Sequence, residues 1–115
     1  METSIPVVDH RGAMDRLDGD EELWNEIREI WVEDAPQMFR NVQEALAELN
    51  ADGLRRAAHA LKGASSNVGA ARVTEAAREI ETKAMAGDWK ALGDGVSQLD
   101  EEVHRALEAL ASSGS

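Results

Sequence analysis

The sequence predicts an all-α fold, and three observations support this prediction. Apolar residues recur at steps of three and four along nearly the whole chain, which is the spacing of one face of an α-helix. The 115 residues include no Tyr, one Phe and two Pro, so the segments typical of β-strands are missing. The turns between the periodic segments are short, which favours antiparallel neighbours. We therefore expect an antiparallel up-down four-helix bundle with a short additional N-terminal helix.

The short N-terminal helix is predicted from its two ends. Asp9 is a suitable N-cap, because its carboxylate can accept a hydrogen bond from the first turn of the helix. The helix extends to about Leu17, and Asp18-Gly19 then breaks it. We expect this helix to pack across one end of the bundle.

The second helix is the longest of the predicted set. It starts at Asp20-Glu21-Glu22, since acidic side chains stabilise a helix N-terminus, and continues to about Asn50. Pro36 lacks a backbone donor and is expected to kink the helix without ending it. The predicted inward stripe consists of Leu23, Ile27, Ile30, Trp31, Ala35, Met38, Val42, Ala45, Leu46 and Leu49.

Three further helices complete the predicted bundle. The turn Asn50-Ala51-Asp52-Gly53, with Asp52 as its predicted cap, starts a third helix over about residues 53–68, which Gly69 ends. A fourth helix follows and closes at Ala86-Gly87-Asp88, whose aspartate caps the fifth. The predicted inward residues of the third helix are Leu54, Ala57, Ala58, Leu61, Ala64, Ser65 and Val68.

Length, charge and cysteine content limit the possible classes of protein. We expect one domain at residues 9–111, between a flexible N-terminal segment, 1–8, and a flexible tail, 112–115. The 12 basic and 23 acidic side chains give a net charge of −11, which argues against nucleic acid as a partner. The chain has no cysteine and no apolar run of the ~20 residues that span a bilayer, so we expect a cytoplasmic protein without a membrane partner.

The outward face of the third helix carries a concentration of basic charge. His59 lies about 140° around the helix axis from the inward residue Leu54. Residues 53–74 include four basic side chains and no acidic one, although the chain as a whole is acidic. The residues around the histidine on this face are Arg55, Arg56, Lys62, Gly63 and Ser66. This segregation of charge predicts a functional surface around His59.

A histidine in these surroundings has properties that suit a phosphoryl acceptor. Like charge around His59 disfavours its imidazolium form, which leaves a neutral ring nitrogen as a nucleophile. The same charge would stabilise an attached phosphoryl group, Lys62 through its ammonium and Ser66 through a hydroxyl hydrogen bond. Gly63 costs ~1 kcal/mol relative to alanine inside a helix, so we expect a steric reason for it. A glycine here leaves room for an approaching partner.

The segment from His59 to Ala70, HALKGASSNVGA, resembles the signature of histidine-containing phosphotransfer (HPt) domains of phosphorelays. The resemblance extends to Gly19-Asp20-Glu21-Glu22 and Ala86-Gly87-Asp88 and covers nearly the whole chain. It implies that His59 is phosphorylated, on Nε2, that Lys62 attracts the phosphoryl group and that Gly63 leaves space for a receiver domain. The donor and acceptor would be receiver-domain aspartates, with Mg²⁺ supplied by the receiver, so we expect no cofactor on this chain.

One position departs from the pattern of several family members. They carry a glutamine on the next helix where this chain places Glu81. In an antiparallel hairpin Glu81 is near enough to meet the ring of His59. We hypothesise that its carboxylate accepts the Nδ1 proton and raises the basicity of Nε2, although it could equally repel the phosphoryl group.

The other histidines and the tryptophans are interpreted as structural residues. His10 and His104 have no convincing cluster of metal ligands around them and are predicted to lie on the surface. Trp24, Trp31 and Trp89 are predicted to pack in the core or at its ends. Trp24 and Trp31 could instead leave an exposed patch near the partner surface.

The main functional prediction is a phosphocarrier that accepts a phosphoryl group on His59 from a receiver domain and passes it to another response regulator. It would serve a sensor or hybrid histidine kinase, as a monomer, either alone or as a module of a larger kinase. One alternative is a scaffold that docks partners without chemistry. Another is a domain phosphorylated directly by a histidine kinase. An independent enzyme is disfavoured, because a helix face offers no concave pocket.

Overall fold

The computed structural model describes residues 5–112, and all the regular structure in that range is helical. The all-α prediction is therefore confirmed. The elements are α1 (His10–Arg16), α2 (Glu21–Ala47), α3 (Ala51–Val68), α4 (Ala71–Lys83), a 3₁₀ turn (Ala84–Ala86) and α5 (Trp89–Ser112). Residues 1–4 of the predicted N-terminal segment and 113–115 of the predicted tail lie outside the described residues.

The four long helices surround one core. Helix α3 packs against α2 and α4, and α5 packs against the same two helices on the other side. Helix α1 lies against α2 and α3. The bundle is thus confirmed, while the up-down course of its helices stays a prediction from the short turns. No helix within residues 5–112 is long and apolar enough to cross a membrane.

The caps predicted at Asp9 and Asp88 are confirmed, and the one predicted at Asp52 is wrong. The side chains of Asp9, Asp20 and Asp88 each accept a hydrogen bond from the first turn of α1, α2 and α5. Helix α3 is capped by Asn50, whose Oδ1 accepts from Gly53 N at 2.9 Å, and not by the predicted Asp52. The helix starts earlier than predicted because the backbone N–H of Asn50 already closes the end of α2, by bonding to the carbonyl of Ala45 at 3.0 Å.

The buried face of α2 lies one position away from part of the predicted stripe. Leu23, Ile30 and Leu49 were expected inside but are 38%, 59% and 61% exposed. The side chains that α2 buries are Trp24, Arg28, Trp31, Ala35, Phe39, Val42 and Ala45. Two adjacent stripes of α2 are both rich in apolar residues, so periodicity alone does not say which one faces inward. Helix α2 continues through Pro36 without ending, as predicted.

The hydrogen bonds of two tryptophans explain why this stripe of α2 faces the core. Trp24 and Trp31 are 4% and 2% exposed, which confirms them as core residues. The indole nitrogen of Trp24 donates to the carbonyl of Val68, and that of Trp31 donates to Ser65 Oγ, both at 3.1 Å. Both indole N–H groups are therefore satisfied inside the core, which avoids the cost of burying an unpaired donor. The two bonds also tie α2 to the C-terminal half of α3.

The turn between α3 and α4 is held by the segment that precedes α1. The backbone N–H of Asp9 donates to the carbonyl of Gly69 at 2.7 Å, and the carbonyl of Ile5 accepts from Arg72 Nε at 2.8 Å. Gly69 has φ of 84°, and a Cβ atom there would lie 2.6 Å from the carbonyl oxygen of Asp9. Glycine is required at this turn for both reasons. These contacts hold the C-terminal end of α3 in place.

Candidate functional site

The site is built on the outward face of α3. Leu54, Ala58, Leu61, Ser65 and Val68 are buried and fix the rotation of the helix about its axis. With that face inside, the side chain of His59 points away from the core and is 64% exposed. A histidine on a helix anchored by five buried neighbours has a well-defined position while its ring stays accessible to a partner.

Glu81 of α4 joins two side chains of α3 that were predicted to belong to the site, His59 and Lys62. Its Oε2 atom lies 2.5 Å from Nδ1 of His59, and its Oε1 atom lies 2.6 Å from Nζ of Lys62. The side chains of Glu81 and Lys62 are 19% and 27% exposed, so this contact is largely shielded from water. The predicted meeting of Glu81 with the His59 ring is confirmed in position. Its bridge to Lys62 was not predicted.

The carboxylate of Glu81 determines how the His59 ring is protonated. The hydrogen bond from Lys62 holds the pKa of Glu81 below its ordinary value; burial opposes this shift, and the bond from His59 adds to it. Glu81 is therefore ionised and can only accept hydrogen bonds. The proton in the short contact then belongs to Nδ1 of His59, and Nε2 is the ring nitrogen that faces away from the carboxylate. Nε2 has no hydrogen bond or ion pair to any residue within 5–112.

The basic charge on this face is partly neutralised, which modifies the sequence argument. Arg55 and Arg56 both pair with Asp52 in the first turn of α3, at 2.8 and 3.0 Å. The bond from Arg55 is the main reason why the pKa of Asp52 is lowered. The ring of His59 is itself in contact with a carboxylate. Repulsion by like charge is therefore not the feature that orients or prepares this histidine.

Gly63 leaves the surface beside His59 open. It is exposed, and a Cβ atom added to it would meet nothing within 4 Å outside its own helix. Packing inside the molecule therefore gives no reason for a glycine at this position. The open surface is consistent with the predicted approach of a partner.

Ser66 lies further along the same face. It follows His59 by seven residues, which is about 10 Å along the helix axis. Its carbonyl oxygen accepts a hydrogen bond from Arg16 of α1 at 2.5 Å, and its hydroxyl has no partner among the described residues. The predicted hydrogen bond from the Ser66 hydroxyl to a phosphoryl group stays a prediction.

An apolar groove lies between α2 and α3, and the sequence did not predict it because most of its residues were expected in the core. Ile30 is 59% exposed at its rim, and the buried Trp31 forms part of its floor. The groove is lined by Ile27, Ile30, Trp31, Asp34, Met38, Ala64 and Asn67. The excess width of the apolar stripe on α2 was the available signal. A helix buried on one side needs only one of the two stripes.

The other predicted surface histidines are placed as expected. Nε2 of His10 pairs with Glu21 at 2.9 Å, and its ring packs edge-on against Trp24. His104 pairs with Asp100 on its own helix at 3.1 Å. Within residues 5–112 no group of three or more potential ligands is arranged to hold a metal ion.

Comparison with known proteins agrees with this geometry. The sequence profile of the Hpt domain matches residues 26–112. The crystal structure of histidine-containing phosphotransfer protein B (HptB) from Pseudomonas aeruginosa PAO1 is similar, with a TM-score of 0.83 and 26% sequence identity over 95% of each chain. No curated protein matches the sequence. The chain belongs to the Hpt domain family and functions in histidine phosphotransfer within phosphorelays.

Proposed function

We propose that His59 is the residue that carries the phosphoryl group. The observation behind this proposal is the arrangement of its ring, whose Nδ1 atom is bonded to Glu81 while Nε2 is open to solvent. Neither His10 nor His104 has a cation and a glycine three or four residues away on its own helix. His59 has both, in Lys62 and Gly63.

The proposed step is an in-line transfer between His59 and an aspartyl phosphate. The lone pair on Nε2 attacks phosphorus, the bond between phosphorus and the aspartate oxygen breaks, and the aspartate leaves as a carboxylate. The proton stays on Nδ1, so the phosphorylated ring is a cation that remains paired with the ionised Glu81. Return of the phosphoryl group to a second aspartate reverses each of these changes.

Each neighbouring residue has a separate proposed role. Glu81 orients the ring and stabilises its positive charge, as a buried acid does for other catalytic histidines. Lys62 neutralises the phosphoryl oxygens, and Gly63 lets the partner approach. Ser66 is a further candidate donor to the phosphoryl group. Most of the catalysis is positioning and charge neutralisation, which the two proteins provide together.

The partners follow from the chemistry of this step. Hpt proteins interact with receiver domains and kinases in two-component relays. For this chain we propose receiver domains as donor and acceptor, with Mg²⁺ bound by the receiver and no cofactor on the bundle. The chain would act as a monomeric cytoplasmic phosphocarrier without turnover of its own substrate. Direct phosphorylation by a kinase core and docking without chemistry are the competing functions.

The test is transfer from a labelled receiver domain to the parent protein, to His59→Gln and to His104→Gln. We expect acid-labile, base-stable label on the parent and on His104→Gln, and none on His59→Gln. Label that persists in His59→Gln would overturn the assignment of His59. Label from kinase cores but from no receiver domain would favour direct phosphorylation, and no label from either source would favour the docking function.

A further inference from the structure

Lys62 is already occupied before any phosphoryl group arrives. Its ammonium lies 2.6 Å from Oε1 of Glu81 and is 27% exposed, so it is held in a shielded ion pair. The main cause of the lowered pKa of Glu81 is the hydrogen bond from Lys62, which shows that the pair stabilises the ionised carboxylate. Movement of Lys62 to a phosphoryl group would therefore cost a favourable contact with Glu81.

A phosphoryl group on His59 would offer Lys62 a second anion on the other side of the ring. Glu81 binds the Nδ1 edge of the His59 ring, and a phosphoryl group would be attached to Nε2 on the opposite edge. The ammonium of Lys62 is at present at hydrogen-bond distance from Oε1 of Glu81. Contact with phosphoryl oxygens beyond Nε2 would draw it away from that carboxylate.

We infer that Lys62 exchanges Glu81 for the phosphoryl group each time His59 is phosphorylated, and that Glu81 thereby sets how readily His59 accepts the group. This inference rests on the proposed role of His59. Before transfer, Lys62 and the neutral ring of His59 share the negative charge of Glu81. After transfer, the ring is positively charged and pairs with Glu81, while Lys62 pairs with the phosphoryl dianion.

The exchange balances charge on both sides of the reaction. Nε2 forms its bond to phosphorus without losing the Nδ1 proton, and the departing aspartate takes the electron pair of the broken bond. The ring of His59 thus gains one positive charge just as Lys62 is needed elsewhere. Glu81 keeps a cationic partner in each state.

A specific consequence concerns the equilibrium between phosphorylated and free protein. In the parent, Lys62 stabilises both states, the free state through Glu81 and the phosphorylated state through the phosphoryl group. Its removal should therefore change the equilibrium little. In Glu81→Gln the free state has no ionic partner for Lys62, so removal of Lys62 should weaken only the phosphorylated state.

The experiment measures the equilibrium ratio of phosphorylated bundle to phosphorylated receiver domain for the parent, Lys62→Met, Glu81→Gln and the double variant. We expect Lys62→Met to lower the ratio by about twofold in the parent background and by about tenfold in the Glu81→Gln background, since hydrogen bonds to charged groups have that strength. Lys90→Met, an exposed lysine on α5, controls for the change in net charge. Circular dichroism and thermal unfolding confirm that each variant is folded.

The outcome distinguishes the exchange from a purely structural ion pair. Equal effects of Lys62→Met in both backgrounds would overturn the inference, because they would show that Lys62 does not change partner. A second readout is the ¹⁵N chemical shift of the Lys62 ammonium, which should move when the protein is phosphorylated with phosphoramidate; an unchanged shift would also overturn it. Absence of any His59-dependent label would instead overturn the proposed function, which separates the two failures.

Discussion

The outward faces of α3 and α5 each carry an exposed histidine beside a carboxylate, with an open glycine elsewhere on the helix. His59 and His104 are 64% and 71% exposed, and Nδ1 of each ring contacts an acidic side chain. Gly63 on α3 and Gly93 on α5 both have open space where a Cβ atom would be. An exposed histidine, a neighbouring carboxylate and an open glycine therefore do not by themselves distinguish the two faces.

The two histidines differ in which helix carries their acidic partner. Asp100 lies one turn before His104 on the same helix, and the backbone carbonyl of Asp100, followed by its charge, raises the pKa of His104. Glu81 contacts His59 from another helix, α4, and its other carboxylate oxygen pairs with Lys62 of α3. A histidine next to an acid is thus not by itself a site. The arrangement that we propose for the phosphoacceptor combines a polar side chain positioned by tertiary structure, here Glu81, with a cation and room for a partner.

The largest expected difference between the faces concerns access. Gly63→Gln should slow transfer from a receiver domain by about 100-fold, because a small displacement of the reacting groups costs that much rate. Gly93→Gln, the matched change on α5, should leave the rate unchanged. The measurement is the single-turnover rate of label transfer. Equal rates for the two variants would show that no partner approaches over Gly63.

The second largest expected difference concerns the effect of the two acidic side chains on the rate of transfer. Glu81→Gln should slow phosphorylation of His59 by about tenfold, since the amide no longer stabilises a positive charge on the ring. Asp100→Asn removes the corresponding acid from His104 and should have no effect on transfer. Rapid-quench measurements with one receiver domain would give both rates. A parent-like rate in Glu81→Gln would contradict the orienting role of Glu81.

The two glycines should behave alike in stability even though they differ in function. Gly63→Ala and Gly93→Ala should each raise the free energy of unfolding by roughly 0.5 to 1 kcal/mol, because alanine is the better helix former and the added methyl group meets no neighbour. Urea denaturation followed by circular dichroism tests this. A loss of stability in either variant would show that the glycine has a packing role inside the bundle.

The smallest expected difference is the response of stability to pH. The pKa of Glu81 is lowered in the folded protein, so its stabilising effect is present at neutral pH and is lost as the pH falls through the folded value. The pKa of His104 is raised, so its effect is present at acidic pH and is lost as the pH rises through the folded value. Unfolding curves of Glu81→Gln and His104→Gln should therefore converge with the parent at opposite ends of the pH range. Convergence at the same end would contradict this assignment.

Much of the helical framework was predictable, because it depends on neighbours in sequence. The caps Asp9, Asp20 and Asp88 act on N–H groups three residues away, so a local pattern is sufficient to locate them. The cap of α3 was predicted wrongly because a local pattern was not sufficient to decide it. Asn50 and Asp52 are both good capping residues two positions apart, and the choice depended on where α2 ends.

Selection of the buried stripe of α2 was beyond local reasoning. Ile30 and Trp31 are both apolar and adjacent, yet one is 59% and the other 2% exposed. The difference comes from α3, where Ser65 offers an acceptor for the Trp31 indole. Periodicity gives the direction of an apolar face only to within about one residue, since one residue is 100° of rotation.

In the candidate site, too, some features follow from the sequence and others only from the tertiary structure. The sequence by itself determined that His59, Lys62 and Gly63 share the outward face of α3, since residues three and four apart on a helix are always neighbours. It also suggested that Glu81 could reach the ring. Only the tertiary structure decided that Glu81 binds Lys62 as well, because that contact depends on the packing of α4 against α3, which no spacing within one helix specifies.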